Sequence, residues 1–409
     1  MSAKIYDKSL VKRHRISRTW LLIFQSATIL SFISLTALIF NVLNSAFGYV
    51  AIINTVDPDT LAVNGVPFEQ LPKETLLQIL IDNVSNGLVR SYEHDIPFRD
   101  RSRENVAALV QSHVVAPQIV AQWSLYQSLF QRSLVFTDAA QHFPDSQIRF
   151  ESWIDARFIA SPQSSEAEMA GVRTAIMGSL WTIFVAILFA FPIGVGAAIY
   201  LQEFARDRWI NRVIQTNINN LAGVPSIIYG ILGLAIFVRA LEFFTSGVFL
   251  GITEAASANG RTILSAGLTL GLLILPLIII NAQEAIKAVP NSLRQAGLGL
   301  GATTWQTIWA HVLPNALPGI MTGTILAISR AIGETAPMVV IGASTFITVD
   351  PSGPFSKFTT LPIQIFQWAS RPQDIFRNIA AAAIIVLLIL LLTLNAAAIM
   401  LRNRYTRSL

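Results

Sequence analysis

Two residues with chemistry to offer, Arg330 and Glu334, lie four apart in the otherwise apolar run NALPGIMTGTILAISRAIGETAP. Either charge costs about 2.5 to 3.5 kcal/mol at a bilayer centre, so a membrane segment that keeps both has a use for them. On a helix they fall one turn apart on the same face and can pair. One use is structural, an ion pair that locks this helix or ties it to a neighbour. The other is functional: Arg330 offers a guanidinium fork to a tetrahedral oxyanion, and Glu334 holds the arginine when the site is empty. Ser329 and Thr335 add hydroxyl donors beside the pair, and Pro337 frees a backbone carbonyl one turn away. The chain has no cysteine, which excludes disulfides, thiolate chemistry and cysteine metal sites. His94, His113 and His142 are scattered without ligand spacing, and no metal site is expected.

What must position this pair is a set of membrane helices. The 409 residues are 53% hydrophobic and 13% charged, too apolar for an ordinary soluble protein. The expected fold class is an all-α integral membrane protein with six spans, at about 20–43, 172–201, 217–241, 262–281, 315–346 and 378–401. The net charge of +5 raises the question of nucleic acid. Its cations, however, flank the spans: Lys4, Lys8, Lys12, Arg13, Arg15 and Arg18 before the first, and Arg402, Arg404 and Arg407 after the last. No nucleic-acid partner is expected, and membrane lipid is. The basic tail 1–19, the tail 402–409 and the loops with Arg206, Arg208, Arg212, Lys287 and Arg294 then share the cytoplasmic side. The first apolar run is too long for a cleaved leader and reads as a retained anchor.

Between the first two spans, 51–168 forms an extracytoplasmic insertion. Pro72–Val84 and Ser102–Val115 both show helical spacing of apolar residues, so this insertion is expected to be mostly helical. Ser165 and Glu168 offer a capping box for the helix that leads into the second span. Gly223, Pro225, Gly230 and Gly233 in the third span, and Gly267 and Gly271 in the fourth, read first as helix-packing faces. The stretch from Asp350 to Phe376 reads as a Pro-rich outer loop.

The segment 283–314 is a connector, polar enough for water and set between two apolar runs. It reads as two short helices around a glycine turn. Asn291 or Ser292 caps the first helix, Thr303 and Gln306 form a capping box for the second, and Leu313-Pro314 stops it. The second helix has an apolar face of Trp305, Ile308, Trp309 and Val312, which this short elbow cannot cover by itself. No G-x-x-x-x-G-K-[ST] sequence occurs and no strand precedes these glycines, so no nucleotide site is expected in the chain.

Gln295-Ala296-Gly297, three residues, Gly301, nine residues and His311-Val-Leu313-Pro314 resemble the EAA loop of ABC-importer permeases. Gln295 and His311 stand where that pattern usually has Glu and Ile or Val. The stretches AISRAIGETAPMVVIGA and LAGVPSIIYGILGLAIF resemble the phosphate-specific branch of the same family, and the likeness covers 172–401. It implies a permease core of the importer type in a prokaryotic plasma membrane, with no catalysis and no cofactor of its own. ATP and Mg would be bound by a partner chain. The implied partners are a sister permease in a heterodimer, two copies of a cytoplasmic ATPase and an extracytoplasmic phosphate-binding protein. The implied roles are passage of the anion past Arg330 and Glu334, with Thr335 and Ser329 the hydroxyls beside that pathway on the residue reading above, and docking of the elbow on the ATPase. The docking set is Gln295, Ala296, Gly297, Gly301, Trp305, Ile308, Trp309, Leu313 and Pro314. Rival readings are a sulfate or molybdate importer permease, an ion-gradient-driven transporter, and a sensor or enzyme working through 51–168.

Overall fold

A computed structural model describes residues 8–63, 66–67, 70–95, 97–99, 101–115, 117–165, 167–252, 259–343 and 346–406. Lys4, Arg407 and the side chains of Lys8 and His94 lie outside the described set. The chain divides into two units, Met1–Trp153 and Ile154–Leu409.

The first unit begins with the long helix α1, Lys8–Ala46. Its apolar side chains point outward along its length, Trp20, Phe24, Phe32 and Leu38 among them, as suits a helix whose solvent is lipid. Thr28, Ser34 and Thr36 turn their hydroxyls onto carbonyls four residues earlier at 2.9 Å, which removes free donors from the hydrocarbon. Strand β1, Phe47–Asn54, follows directly. Then come α2, Lys73–Asn83, α3, Asn86–Asp95, and α4, Arg103–Val110. Helices α2 and α4 bury Leu76 and Leu80 with Val106 and Val110, the residues whose spacing predicted them, and Ser102 caps α4. After β2, Pro117–Gln122, two short helices follow, α5, Leu125–Phe130, and α6, Arg132–His142, and then β3, Gln147–Ser152.

The strands form an antiparallel sheet in the order β2-β1-β3, with Val50 opposite Gln122 on one side and Arg149 on the other. The insertion therefore holds a three-stranded sheet besides its expected helices. The sequence hides it because FGYVAIIN extends the apolar run of α1, and its partners are about 70 to 100 residues away.

The second unit is the helical core. It opens with α7, Ala156–Ala160, and α8, Arg173–Ile199, which carries on through a wide turn at Tyr200–Phe204. The expected cap at Ser165 and Glu168 is replaced. Ala167–Met169 is a separate turn, and a distant carboxylate, Asp350, meets the start of α8. Its oxygens lie 2.8 Å from Arg173 Nε and 3.0 Å from Thr174 Oγ1.

Next are α9, Trp209–Ala222, and α10, Ser226–Gly233 with its extension to Ala240, which form one apolar segment bent by 106°. Pro225 opens α10, and a proline biases the residue before it away from helix, which places the bend. After α11, Glu242–Thr245, comes α12, Ile263–Lys287, the most enclosed of the spans. It packs on α8 through the predicted small residues: a Cβ at Gly271 would meet the Phe189 ring at 2.7 Å and the Ala186 carbonyl at 3.2 Å.

The elbow contributes α13, Asn291–Gly299, and α14, Thr304–Thr307. Then follow α15, Leu313–Gly333, α16, Ala336–Ile341, α17, Leu361–Ala369, and α18, Asp374–Thr406. Helix α17 lies inside the stretch expected to be a loop. It buries Leu361, Ile363 and Trp368, and its nine residues are too short to span. Among the described residues five helices are long and apolar enough to cross a membrane, and six spans result if the bent pair counts as one.

Candidate functional site

Arg330 stands in the last turn of α15, and the helix ends three residues later at Gly333. Glu334 takes an extended conformation, φ −75° and ψ 116°, and α16 restarts at Ala336 with Pro337 in its first turn. The expected single helix is thus broken between the two charges, where Pro337 withholds an N–H from the ladder and is also pressed against α10. They still pair: Arg330 Nε donates to Glu334 Oε1 at 3.3 Å. The arginine side chain is 44% exposed and the glutamate 16%. Glu334 lines a small cavity with Ser179, Thr182 and Thr360, while Arg330 faces outward from the chain. A second broken element meets the first, since Gly230 of α10 packs on Pro337 so closely that a Cβ there would come within 2.7 Å of the proline Cα. Tyr229, its neighbour, is buried and donates its phenol O–H to the Leu221 carbonyl at 2.7 Å, tying α10 back to α9 across the bend. Irregular backbone in a membrane protein survives only where protein or a wet path covers its polar groups.

The flanking hydroxyls behave differently from each other. Ser329 Oγ lies 2.8 Å from the Ile325 carbonyl and 2.7 Å from Asn395 Oδ1, so it ties α15 to α18 rather than standing free for an anion. Thr335 is half-exposed beside Glu334 and makes no capping bond with its side chain.

The elbow is built largely as its sequence implies. The Thr303 hydroxyl accepts from Gln306 N–H, and the Gln306 side chain accepts from Thr303 N–H at 2.8 Å, closing the capping box. Gly301 adopts φ +84°, a left-handed conformation natural to glycine. Gly297 sits so close to α14 that a Cβ would meet Thr307 Oγ1 at 2.7 Å. Two expectations are corrected here. Helix α13 begins at Asn291 behind Pro290, without a side-chain cap. Leu313-Pro314 does not stop the second helix, because a wide turn at Ile308–Val312 lets the Leu313 N–H reach back to the Ile308 carbonyl. That turn absorbs the missing proline donor, and the helix runs unbroken from Thr304 to Gly333 for 30 residues.

The apolar face expected for docking divides in two. Ile308 and Val312 turn inward, 2% and 1% exposed; Val312 packs with Ala282, Ile286 and Ile320, and Leu313 joins that cluster. Ile308 therefore has no surface to give a partner. Trp305 and Trp309 turn outward with ring centroids 5.6 Å apart, and Leu298 and Leu300 of the same elbow are exposed too. Gln295 and Ala296 are exposed on α13, and Pro314 is partly covered.

One site residue escaped the sequence reading. Arg294, expected only as a cytoplasmic cation, makes a buried ion pair with Glu203 at the end of α8, at 2.7 Å with side chains 17% and 8% exposed. Its Nε lies 3.1 and 3.2 Å from the two carboxylate oxygens, and its terminal nitrogens donate to the Val289 and Ile286 carbonyls. The pair bolts the elbow to a membrane helix. Glu203 is 91 residues away, and no local pattern announces it.

A helical core with two broken spans, a charged pair at one break and an aromatic elbow continuous with that span define a multi-pass membrane protein. Residues 190–407 match the family model described as binding-protein-dependent transport system inner membrane component. The chain belongs to that family, a family of transport components rather than enzymes. It is 36% identical over 238 residues to the phosphate transport system permease protein PstA 1 of Mycobacterium tuberculosis, a match that covers 58% of this chain and 72% of the relative. It is 34% identical over 203 residues to the phosphate transport system permease protein PstC of Pasteurella multocida, covering 47% and 62%. The MetNI methionine ABC transporter in its inward-facing form covers 58% of this chain and 94% of its own at 20% identity, with a TM-score of 0.42.

Proposed function

We propose that this chain is a permease subunit of an ATP-driven phosphate importer, passing the anion across the membrane beside a sister permease. The observation that carries the reading is the single helix from Thr304 to Gly333, which bears the exposed tryptophans at one end and the Arg330–Glu334 pair at the other. Relatives named as phosphate permeases of both kinds supply the substrate. Phosphate carries one to two negative charges at neutral pH, and a dry path without a cation would reject it. Arg330 supplies that cation on an outward face, where lipid would be a costly neighbour and a second permease lining a shared path would not. Glu334 holds the guanidinium between passages, and an arriving anion takes its place, so that binding stays moderate and release follows.

On the other side, Trp305, Trp309, Leu298 and Leu300 form the face that docks on a cytoplasmic ATPase, two copies of which would serve the pair of permeases. An extracytoplasmic phosphate-binding protein would deliver the anion. The basic ends flanking α1 and α18 support an orientation with both termini in the cytoplasm.

The test is ATP-dependent phosphate uptake in vesicles holding this chain with its candidate sister permease, ATPase and binding protein, wild type beside Arg330→Ala. Uptake that disappears in an assembled variant supports both substrate and residue. A wild type that ignores phosphate and imports sulfate or molybdate refutes the substrate, and uptake independent of nucleotide refutes the importer.

A further inference from the structure

Within the first unit, α5 is built inside out. The residue it buries is polar, Ser128 at 3% exposure, whose hydroxyl accepts from Tyr49 N–H and donates to the Ser124 carbonyl, both at 2.8 Å. Its large apolar side chains face away from the sheet: Tyr126, Leu129 and Phe130, at 47, 62 and 75% exposure, spaced three and four residues apart on one face. Leu134 of α6, four residues further along the chain, is exposed as well at 63%, at a groove it shares with Gln127 and Gln131. Water disfavours such a face, and a water-soluble insertion would have turned it inward.

Its position says what covers it. The Tyr126 N–H donates to Asn44 Oδ1 at 2.8 Å, which fastens the start of α5 to the last turn of α1. Counting about 20 residues of hydrocarbon-spanning helix from Trp20 reaches about Phe40, and Asn41, Asn44 and Ser45 begin the polar end. Helix α5 is thus pinned about one turn beyond the lipid-facing Phe40, at the level of the headgroups, where tyrosine is enriched. Gln127 and Gln131 lie along the polar side, and the Arg132 guanidinium rests 5.4 Å from the Phe136 ring centre, next to the patch and within reach of lipid phosphates. We infer that Tyr126, Leu129, Phe130 and Leu134 form an interfacial foot that seats the insertion on the lipid surface, its rings and branched chains sunk among the headgroups. The foot fixes the height and tilt of the sheet through β1, which leaves α1 without a linker. It depends on α1 crossing the membrane and not on what is transported.

The chain has no cysteine, so a single Phe130→Cys carries a spin label at one place only. The full chain is placed in phosphatidylcholine vesicles containing phosphatidylglycerol. Collision of the label with oxygen, which prefers hydrocarbon, is compared with collision with a water-soluble nickel chelate. Leu38→Cys on α1 serves as the lipid reference and Asp145→Cys, in an exposed turn, as the water reference. The label at 130 is expected to collide severalfold more with oxygen than with the chelate, on the side of Leu38. Leu134→Cys, on the neighbouring helix, is expected to give the same result, which guards against local damage at 130. Water-like accessibility at both positions overturns the foot. Exclusion of both reagents also overturns it, since a protein surface would then cover the patch.

Discussion

Arg330 acts on an anion only if its geometry counts and not merely its charge. A guanidinium presents two parallel donors to an oxyanion and an ammonium does not, and a hydrogen bond to a charged group is worth roughly 1.5–3 kcal/mol. Arg330→Lys is therefore expected to lower phosphate uptake by at least about tenfold while leaving the amount of assembled transporter unchanged. Near-normal uptake would reduce the arginine to a point charge. Arg294 makes a different kind of demand. Both partners of its pair with Glu203 are enclosed, so Arg294→Ala leaves a buried carboxylate alone, and breaking such a pair costs about 3–5 kcal/mol. The thermal midpoint of the purified chain is expected to fall by several degrees in that variant. Removing both charges, Glu203→Gln with Arg294→Met, should regain most of the loss. An unchanged midpoint in Arg294→Ala would show that the pair is solvated. The two arginines contrast in legibility: Arg330 is conspicuous because its neighbours in sequence are apolar, whereas Arg294 looks like any basic loop residue until α8 is folded beside it.

At the scale of elements, the close approach of α12 to α8 rests on glycines. A Cβ at Gly267 would sit 2.5 Å from that of Val185 and 3.0 Å from the Thr182 carbonyl, and neither atom belongs to a flexible chain end that can swing aside. Gly267→Ala is expected to destabilise by about 1–3 kcal/mol through overpacking. Gly299→Ala, in the elbow helix with nothing within 4 Å, should be neutral or stabilise by about 0.5–1 kcal/mol. Thermal inactivation of the two variants side by side checks the contrast, and equal midpoints would mean that the helices separate freely. Much of this level was readable in advance. Apolar length gave the spans, Gly267 and Gly271 gave the packing face, and Thr303 with Gln306 gave the start of α14. The breaks were harder. Proline at 314 and proline at 337 look alike in sequence, yet one is absorbed by a wide turn and the other parts two helices. The difference lies in tertiary packing, where Pro337 is pressed against Gly230.

For the whole molecule, the continuity of helix from Thr304 to Gly333 makes a mechanical claim. If the elbow is driven by a partner, the charged end follows as part of one rod, and the path opens or closes by rigid movement and not by bending between them. The wide turn at Ile308–Val312 is the natural place for a hinge, but both of its end residues are buried and Val312 is locked into the core beside Ala282 and Ile286, which argues against hinging. Spin labels at Trp309→Cys and Leu326→Cys, both at exposed side chains, bracket most of the rod. Seventeen residues of helix at 1.5 Å each set them about 26 Å apart. In the assembled transporter that separation is expected to hold within about 2 Å between the nucleotide-free and ATP-bound states, because the stretch stays helical through both Pro314 and Pro318 and a continuous helix changes little in length. A shift of a full helical turn, about 5 Å, would place a hinge between elbow and charged pair. The ATPase would then act on Arg330 through the neighbouring α8 and the Arg294–Glu203 bolt instead of along α15.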